Sequence, residues 1–132
     1  MAARSVAGIA AEGGKVFIAK RFKGGDMGGK WEFPGGKVEE NETDEEALIR
    51  EYEEEFGAAI RVGPRLGQTS FEHHGITRVL NAYRIYFTER ALTMREHAES
   101  RWVSFADLET LNFADSDSKL FPFLKILMEN RD

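Results

Sequence analysis

The chain of 132 residues contains no cysteine. Disulfides and thiolate metal sites are thereby excluded, and carboxylates and histidines are left as the available metal ligands. It has no apolar run of transmembrane length, the N-terminal MAARSVAGIA included, so the expected setting is the cytoplasm with no membrane partner. Basic residues are in deficit, 18 Lys and Arg against 23 Asp and Glu, for a net charge of -5. Such a surface repels a phosphate backbone, which argues against a nucleic-acid polymer as partner. It still allows a phosphate ligand if a divalent cation stands between phosphate and carboxylates. There is no internal repeat, low-complexity tract or linker. What is present is ordinary for a globular protein, 42% hydrophobic and 31% charged. The length implies one domain over 1–132 with a proper core; a monomer or a homodimer is expected, and the sequence does not choose between them.

SVAGIAA, EGGK and VFIAKRF read as two strands around a glycine turn. RFKGGDMGGK, Arg21 to Lys30, is a glycine-rich loop, and WEFPGGKVEENE is a short extended piece followed by another loop. A helix is predicted from Thr43, an N-cap with Glu46 as capping-box partner, to Gly57 at the C′ position. Strands are predicted around Ala59 to Val62, Gly67 to Glu72, Thr77 to Phe87 and RWVSF. A short helix is predicted over Ala106 to Leu111 and an amphipathic one over Lys119 to Asn130. The mixture is an α/β or α+β fold.

The predicted helix ends in REYEEEFG, with Glu51, Glu53, Glu54 and Glu55 crowded together. Like charges three or four apart repel by a few tenths of a kcal/mol, roughly, per pair. At about 100° per residue, Glu51, Glu54 and Glu55 share one arc, Glu53 points away, and Leu48, Ile49, Tyr52 and Phe56 form an adjoining apolar stripe. A solvated acidic face and a site for a hard divalent cation are both open from this helix alone. Mg²⁺ takes oxygen ligands and commonly bridges carboxylates to substrate phosphates.

Gly36, Glu42, Arg50, Glu51, Glu54, Glu55 and Gly57 reproduce the array G-x5-E-x7-R-E-U-x-E-E-x-G-U, U being a bulky aliphatic residue. This resembles the Nudix box, here residues 36–58, the signature of the Nudix hydrolase superfamily. Tyr52 and Ala58 depart from the pattern and are expected to face the core. The resemblance implies an α/β/α sandwich with a mixed sheet, a loop–helix–loop motif, and hydrolysis of a nucleoside diphosphate linked to another group. It further implies Mg²⁺, for which Mn²⁺ can substitute, held by Glu51, Glu54, Glu55 and the carbonyl of Gly35. In that scheme Arg50 orients a glutamate of the cluster, Glu42 stabilises the loop–helix junction, and Lys37 touches phosphate.

The segment Lys30 to Glu39, KWEFPGGKVE, is similar to the MutT-type branch, which hydrolyses (d)NTPs to NMP and pyrophosphate. The resemblance places Arg21 near the nucleotide and lines the cleft with Glu32, Phe33, Pro34 and Gly35, although Phe33 also fits the alternation of a buried strand. Glu96, six residues before Trp102, is expected to bind metal or act as general base on a mobile loop, with Glu99 as fallback. His73, His74 and His97 fit no ligand spacing and read as surface histidines. Asp117 replaces an asparagine that reads the base in MutT. An ionised carboxylate accepts but does not donate hydrogen bonds, so Asp117 favours bases with an amino group, such as cytosine, its 5-substituted forms and some purines, which disfavours 8-oxo-dGTP without excluding it. As a plain structural residue it would be the N-cap of the last helix. Phe71, Tyr83 and Phe113 could stack on a base or serve as core.

The resemblance points to a Mg²⁺-dependent enzyme with a nucleotide substrate, hydrolysing canonical or modified (d)NTPs, the cytidine type being one option and the base and sugar being left open. The alternatives are a hydrolase of ADP-ribose, NADH or a dinucleoside polyphosphate, and a nucleotide-sensing module without catalysis. Such modules usually lose box glutamates, and here all are present.

Overall fold

A computed structural model describes residues 3–22, 28–89 and 91–130. Part of the glycine loop read between Arg21 and Lys30, residues 23–27, lies outside them. The order is β1 (Ala3–Ile9), β2 (Ala11–Glu12), β3 (Lys15–Arg21), β4 (Trp31–Glu32), β5 (Gly35–Lys37), α1 (Asp44–Phe56), β6 (Ile60–His73) and β7 (Ile76–Phe87). It continues with β8 (His97–Ser104), α2 (Phe105–Leu108), α3 (Asp115–Ser118) and α4 (Phe121–Asn130). One sheet runs β5-β1-β7-β6 and is mixed, β1 lying parallel to β7. The other runs β2-β3-β4, with β8 also antiparallel to β3.

Val6 to Ala11 and Val16 to Ala19 are buried without a break. A strand that hides every side chain is covered on both faces. Val6, Ala10, Phe17 and Ala19 meet Leu48, Tyr52 and Phe56 of α1. Ala7, Ile9, Val16 and Ile18 pack instead with Leu108, Leu120 and Leu124. The sheets are thus sandwiched between helices, as the α/β reading required. Each large side chain so buried contributes about 1.5–3 kcal/mol.

α1 begins and ends on local signals. Thr43 Oγ1 accepts the Glu46 N–H at 3.1 Å, and Glu46 Oε1 accepts the Thr43 N–H at 2.9 Å. Gly57 ends the helix with φ 61°, a left-handed conformation that favours glycine. Elsewhere the boundaries moved. The two strands expected between Ala59 and Glu72 are one long β6, whose register shifts between Val62 and Gly67. Pro64 lacks an N–H, but β6 is an edge strand, where a bulge absorbs that loss. β8 starts at His97 rather than at RWVSF because it pairs along the whole of β3. The last helix starts at Phe121, preceded by the single turn α3. Among the described residues no helix is long and apolar enough to cross a membrane.

Candidate active site

The Gly35-Gly36 pair on β5 lies where nothing larger fits. A Cβ on Gly35 would stand 2.0 Å from the Val6 carbonyl oxygen, and one on Gly36 would stand 2.6 Å from the Glu51 carboxyl carbon. The glycines therefore let α1 press its carboxylates against β5. Behind them Arg50 acts as a fork. Its Nε and Nη2 donate to the two oxygens of Glu42 at 2.7 and 2.9 Å, and its Nη1 donates to Glu51 Oε1 at 2.8 Å and Glu54 Oε1 at 3.3 Å. Nη2 also reaches the Lys37 carbonyl. The guanidinium holds the Glu42 carboxyl down at about 2, helped by the Glu39 N–H and opposed by desolvation. Glu42 in turn raises Arg50. Glu42 is thereby a junction residue, clamping the loop to the helix.

A cavity of about 520 Å³ opens in front of this assembly. Glu51, Glu55, Gly35, Lys37 and Glu96 line it together with Arg21, Glu32, Phe33 and Asp117. Pro34, Arg50 and Glu54 are not part of the wall. Pro34 is buried behind it, its carbonyl taken by the Gly8 N–H at 2.9 Å. The Glu54 side chain is 52% exposed on the helix margin. The fallback Glu99 pairs with Arg101 at 2.8 Å and does not line the cavity.

The Glu96 segment is tied down rather than loose. The N–H groups of Thr93 and Arg95 donate to the Phe56 and Glu55 carbonyls, and Arg95 Nη1 donates to the Glu53 carbonyl at 2.9 Å. The Phe56 and Glu55 carbonyls are orphans of a helix end, while the Glu53 carbonyl also accepts the Gly57 N–H, and a cation there complements the helix dipole.

The Glu55 side chain is 5% exposed, and its Oε1 has no hydrogen-bond partner among the described residues. Burial, the hydrogen bond with Glu51 and the charges of Glu32, Glu51 and Glu96 push its carboxyl up to about 11. Buried, mutually repelling oxygen donors with an orphaned oxygen fit a hard divalent cation. Glu32, Glu55 and His97 each offer a donor atom within 4.8 Å of the others.

Asp117, also in the cavity wall, is buried. Its Oδ2 accepts the Phe33 N–H at 2.8 Å and its Oδ1 the Ser116 hydroxyl at 3.1 Å. It does not cap α4, because its side chain is committed to Phe33 across the fold. Burial, then the charge of Glu32, raise it to about 7. The Phe33 ring packs with Phe113 and Phe121, so this residue serves the core with its side chain and the site with its backbone. Of the three candidate stacking aromatics only Phe71 lines the cavity. Tyr83 donates to Asp44 Oδ2 at 2.6 Å, and Phe113 stays in the aromatic core.

The histidine reading needs correction. His97 is only 4% exposed and its Nε2 lies 2.6 Å from Glu32 Oε2. His73 lines the cavity as well. Sequence reasoning also missed Arg78, whose Nε reaches Ser5 Oγ at 3.3 Å. The one available signal was strand alternation: Arg78 and Leu80 share a face of β7, as Ser5 and Ala7 share a face of β1.

The chain matches the NUDIX domain family over residues 1–124. It is 33% identical over 126 residues to the CTP pyrophosphohydrolase of Escherichia coli, covering 96% of this chain and 91% of that one. It is 32% identical over 112 residues to the 8-oxo-dGTP diphosphatase of Haemophilus influenzae, covering 83% and 80%. The solution structure of the E. coli ORF135 protein superimposes with a TM-score of 0.85 at 32% identity, covering 98% and 92%. The MutT protein of Methanosarcina mazei does so with 0.81 at 26%, covering 98% and 96%. With the box glutamates, their arginine fork and a cavity lined from both sheets, these matches establish that the chain belongs to the Nudix hydrolases.

Proposed function

We propose that the chain hydrolyses nucleoside triphosphates, of cytidine type in preference, to the monophosphate and pyrophosphate with Mg²⁺. The observation that carries this reading is one cavity whose wall holds both the box carboxylates Glu51 and Glu55 and the set Arg21, Glu32, Phe33 and Asp117. The first group is read as the cation end and the second as the nucleoside end. Glu51, Glu54, Glu55 and the Gly35 carbonyl would hold the cation, with Glu96 beside them. When bound, Mg²⁺ neutralises phosphate charge and acidifies water. Arg50 fixes the Glu51 carboxylate. Glu96, fastened to the end of α1, accepts the proton of the attacking water, and Lys37 faces the phosphates. Arg21, Glu32 and Phe33 frame the nucleoside.

Asp117 supports the choice of base. Held near 7, it presents an acceptor when ionised and a donor plus an acceptor when protonated. Cytosine offers an amino donor beside a ring acceptor, which suits both forms. Among the relatives, the E. coli CTP pyrophosphohydrolase bears a name of this class, whereas the H. influenzae relative is named for 8-oxo-dGTP. Initial rates against the eight common nucleoside triphosphates plus oxidised and methylated ones, with Mg²⁺ and with Mn²⁺, test it. Cytidine-type triphosphates should lead, and a strong preference for guanine triphosphates overturns the base assignment. Glu54→Gln should cut turnover at least about a hundredfold, the equivalent of losing a few kcal/mol of transition-state stabilisation. Undiminished turnover removes Glu54 from the metal set.

A further inference from the structure

We propose that His97 is a positioning residue: its Nε2–H fixes Glu32, and through Glu32 the Arg21 guanidinium, at the nucleoside end of the cavity. The proposal rests on the reading of that end as a nucleoside site. Glu32 is bound from both sides, Oε2 by His97 Nε2 at 2.6 Å and Oε1 by Arg21 Nη1 at 2.9 Å. The imidazole is itself immobilised, lying parallel to the Phe56 ring at 5.2 Å and 5°. Phe56 is the last residue of α1, so the contact joins the box helix to β4 and β3 through one side chain.

The two ring nitrogens are not equivalent. Nδ1 is buried with no hydrogen-bond partner among the described residues. A histidine that ligates metal through Nε2 carries its proton on Nδ1 and ordinarily donates it to a carboxylate or carbonyl. Here that proton would be a buried donor without an acceptor, a costly arrangement. The proton therefore belongs on Nε2, where Glu32 accepts it. Although Glu32, Glu55 and His97 are close enough to share an ion, this tautomer makes the histidine a donor and not a ligand.

The assignment also explains how neighbouring carboxylates are kept to separate tasks. Glu32 contributes to the charge that raises both Glu55 and Asp117, so on electrostatic grounds it is free to join either group. His97 Nε2 stands between Glu32 and Glu55, 3.7 Å from Glu55 Oε1. Bound by His97 on Oε2, Glu32 keeps Oε1 for Arg21, whose side chain is 49% exposed and makes no other side-chain hydrogen bond among the described residues.

Nitrogen-15 NMR of the imidazole in the metal-free chain should show Nε2 protonated and Nδ1 bare; the opposite tautomer overturns the proposal. In parallel, calorimetry measures binding of the α,β-methylene analogue of dCTP in Mg²⁺. His97→Phe keeps the stack and loses the donor, and should weaken binding about tenfold, while His97→Gln restores an N–H and should recover to within about threefold. In a Glu32→Gln background His97→Phe should change affinity by less than about twofold. Unchanged affinity in His97→Phe, or its full effect persisting without the Glu32 carboxylate, sinks the idea. If the wild-type chain binds the analogue but cleaves no triphosphate, only the functional reading falls. If it binds no analogue, both fall, and the tautomer still reports on the contact.

Discussion

The Tyr52 hydroxyl donates to the Gly8 carbonyl at 3.1 Å, and its ring fills the space where a Cβ on Gly8 would sit, 2.7 Å from that hydroxyl. A glycine on β1 thus accommodates the tyrosine that stands in the box in place of an aliphatic residue. Gly8→Ala should destabilise the fold by about 1–3 kcal/mol through overpacking. Tyr52→Leu should cost a similar amount through the space it leaves. The double variant should lose clearly less than the sum, since the two sites share one volume. Urea denaturation of the four proteins decides; strict additivity would refute the coupling.

Arg50→Lys keeps the charge but not the fork. An ammonium cannot hold both oxygens of Glu42 and the Glu51 carboxylate in the same geometry. Turnover should fall more than about tenfold, with stability lower by about 1–3 kcal/mol. Glu42, held at about 2 against an ordinary 4.5, contributes stability that is present above pH 4.5 and lost as pH falls toward 2. Glu42→Gln should flatten acid denaturation in that window. An unaltered acid profile would show that the clamp contributes nothing.

Asp117 has the opposite sign. Its carboxyl is raised from 3.8 to about 7, so the folded chain binds a proton that the unfolded chain has released. Its contribution is most favourable below about pH 4 and declines until pH passes 7. Asp117→Asn removes that slope. Between pH 4.5 and pH 8 the stability difference should shift in favour of the variant, on the order of 2 kcal/mol. A difference independent of pH would contradict the burial argument.

Burial, the hydrogen bond with Glu51 and the charges of Glu32, Glu51 and Glu96 raise the Glu55 carboxyl, which favours its protonated form in the metal-free chain. A cation that takes this carboxylate must displace the proton. Titrating Mg²⁺ at pH 7.5 in buffers of different ionisation heat should reveal release of about one proton per chain. Glu55→Gln should abolish the release. Mg²⁺ binding without proton release would place the ion elsewhere.

The legible parts of this molecule are those whose causes lie close together in the chain. The capping box at Thr43, the stop at Gly57 and the carboxylates of α1 are set within one turn or two, and they could be read directly. Glu96 and Asp117 were found only through resemblance, because nothing beside them in the sequence shows that they reach the box. His97 was misread for the same reason: its burial depends on β8 pairing with β3 and on Phe56, 41 positions earlier. Arg78 joins the wall through the parallel register of β1 and β7, which local periodicity does not reveal.

That parallel pairing has a consequence for how the protein comes into being. β1 is made first, yet its neighbour spans Arg78 to Arg84. On a ribosome the whole of α1 emerges before β1 can be enclosed, and the closure of so long a loop is slow. Ala3 pairs with Arg78, so the centre of the mixed sheet is completed only by contacts of long sequence separation, the kind that slows folding.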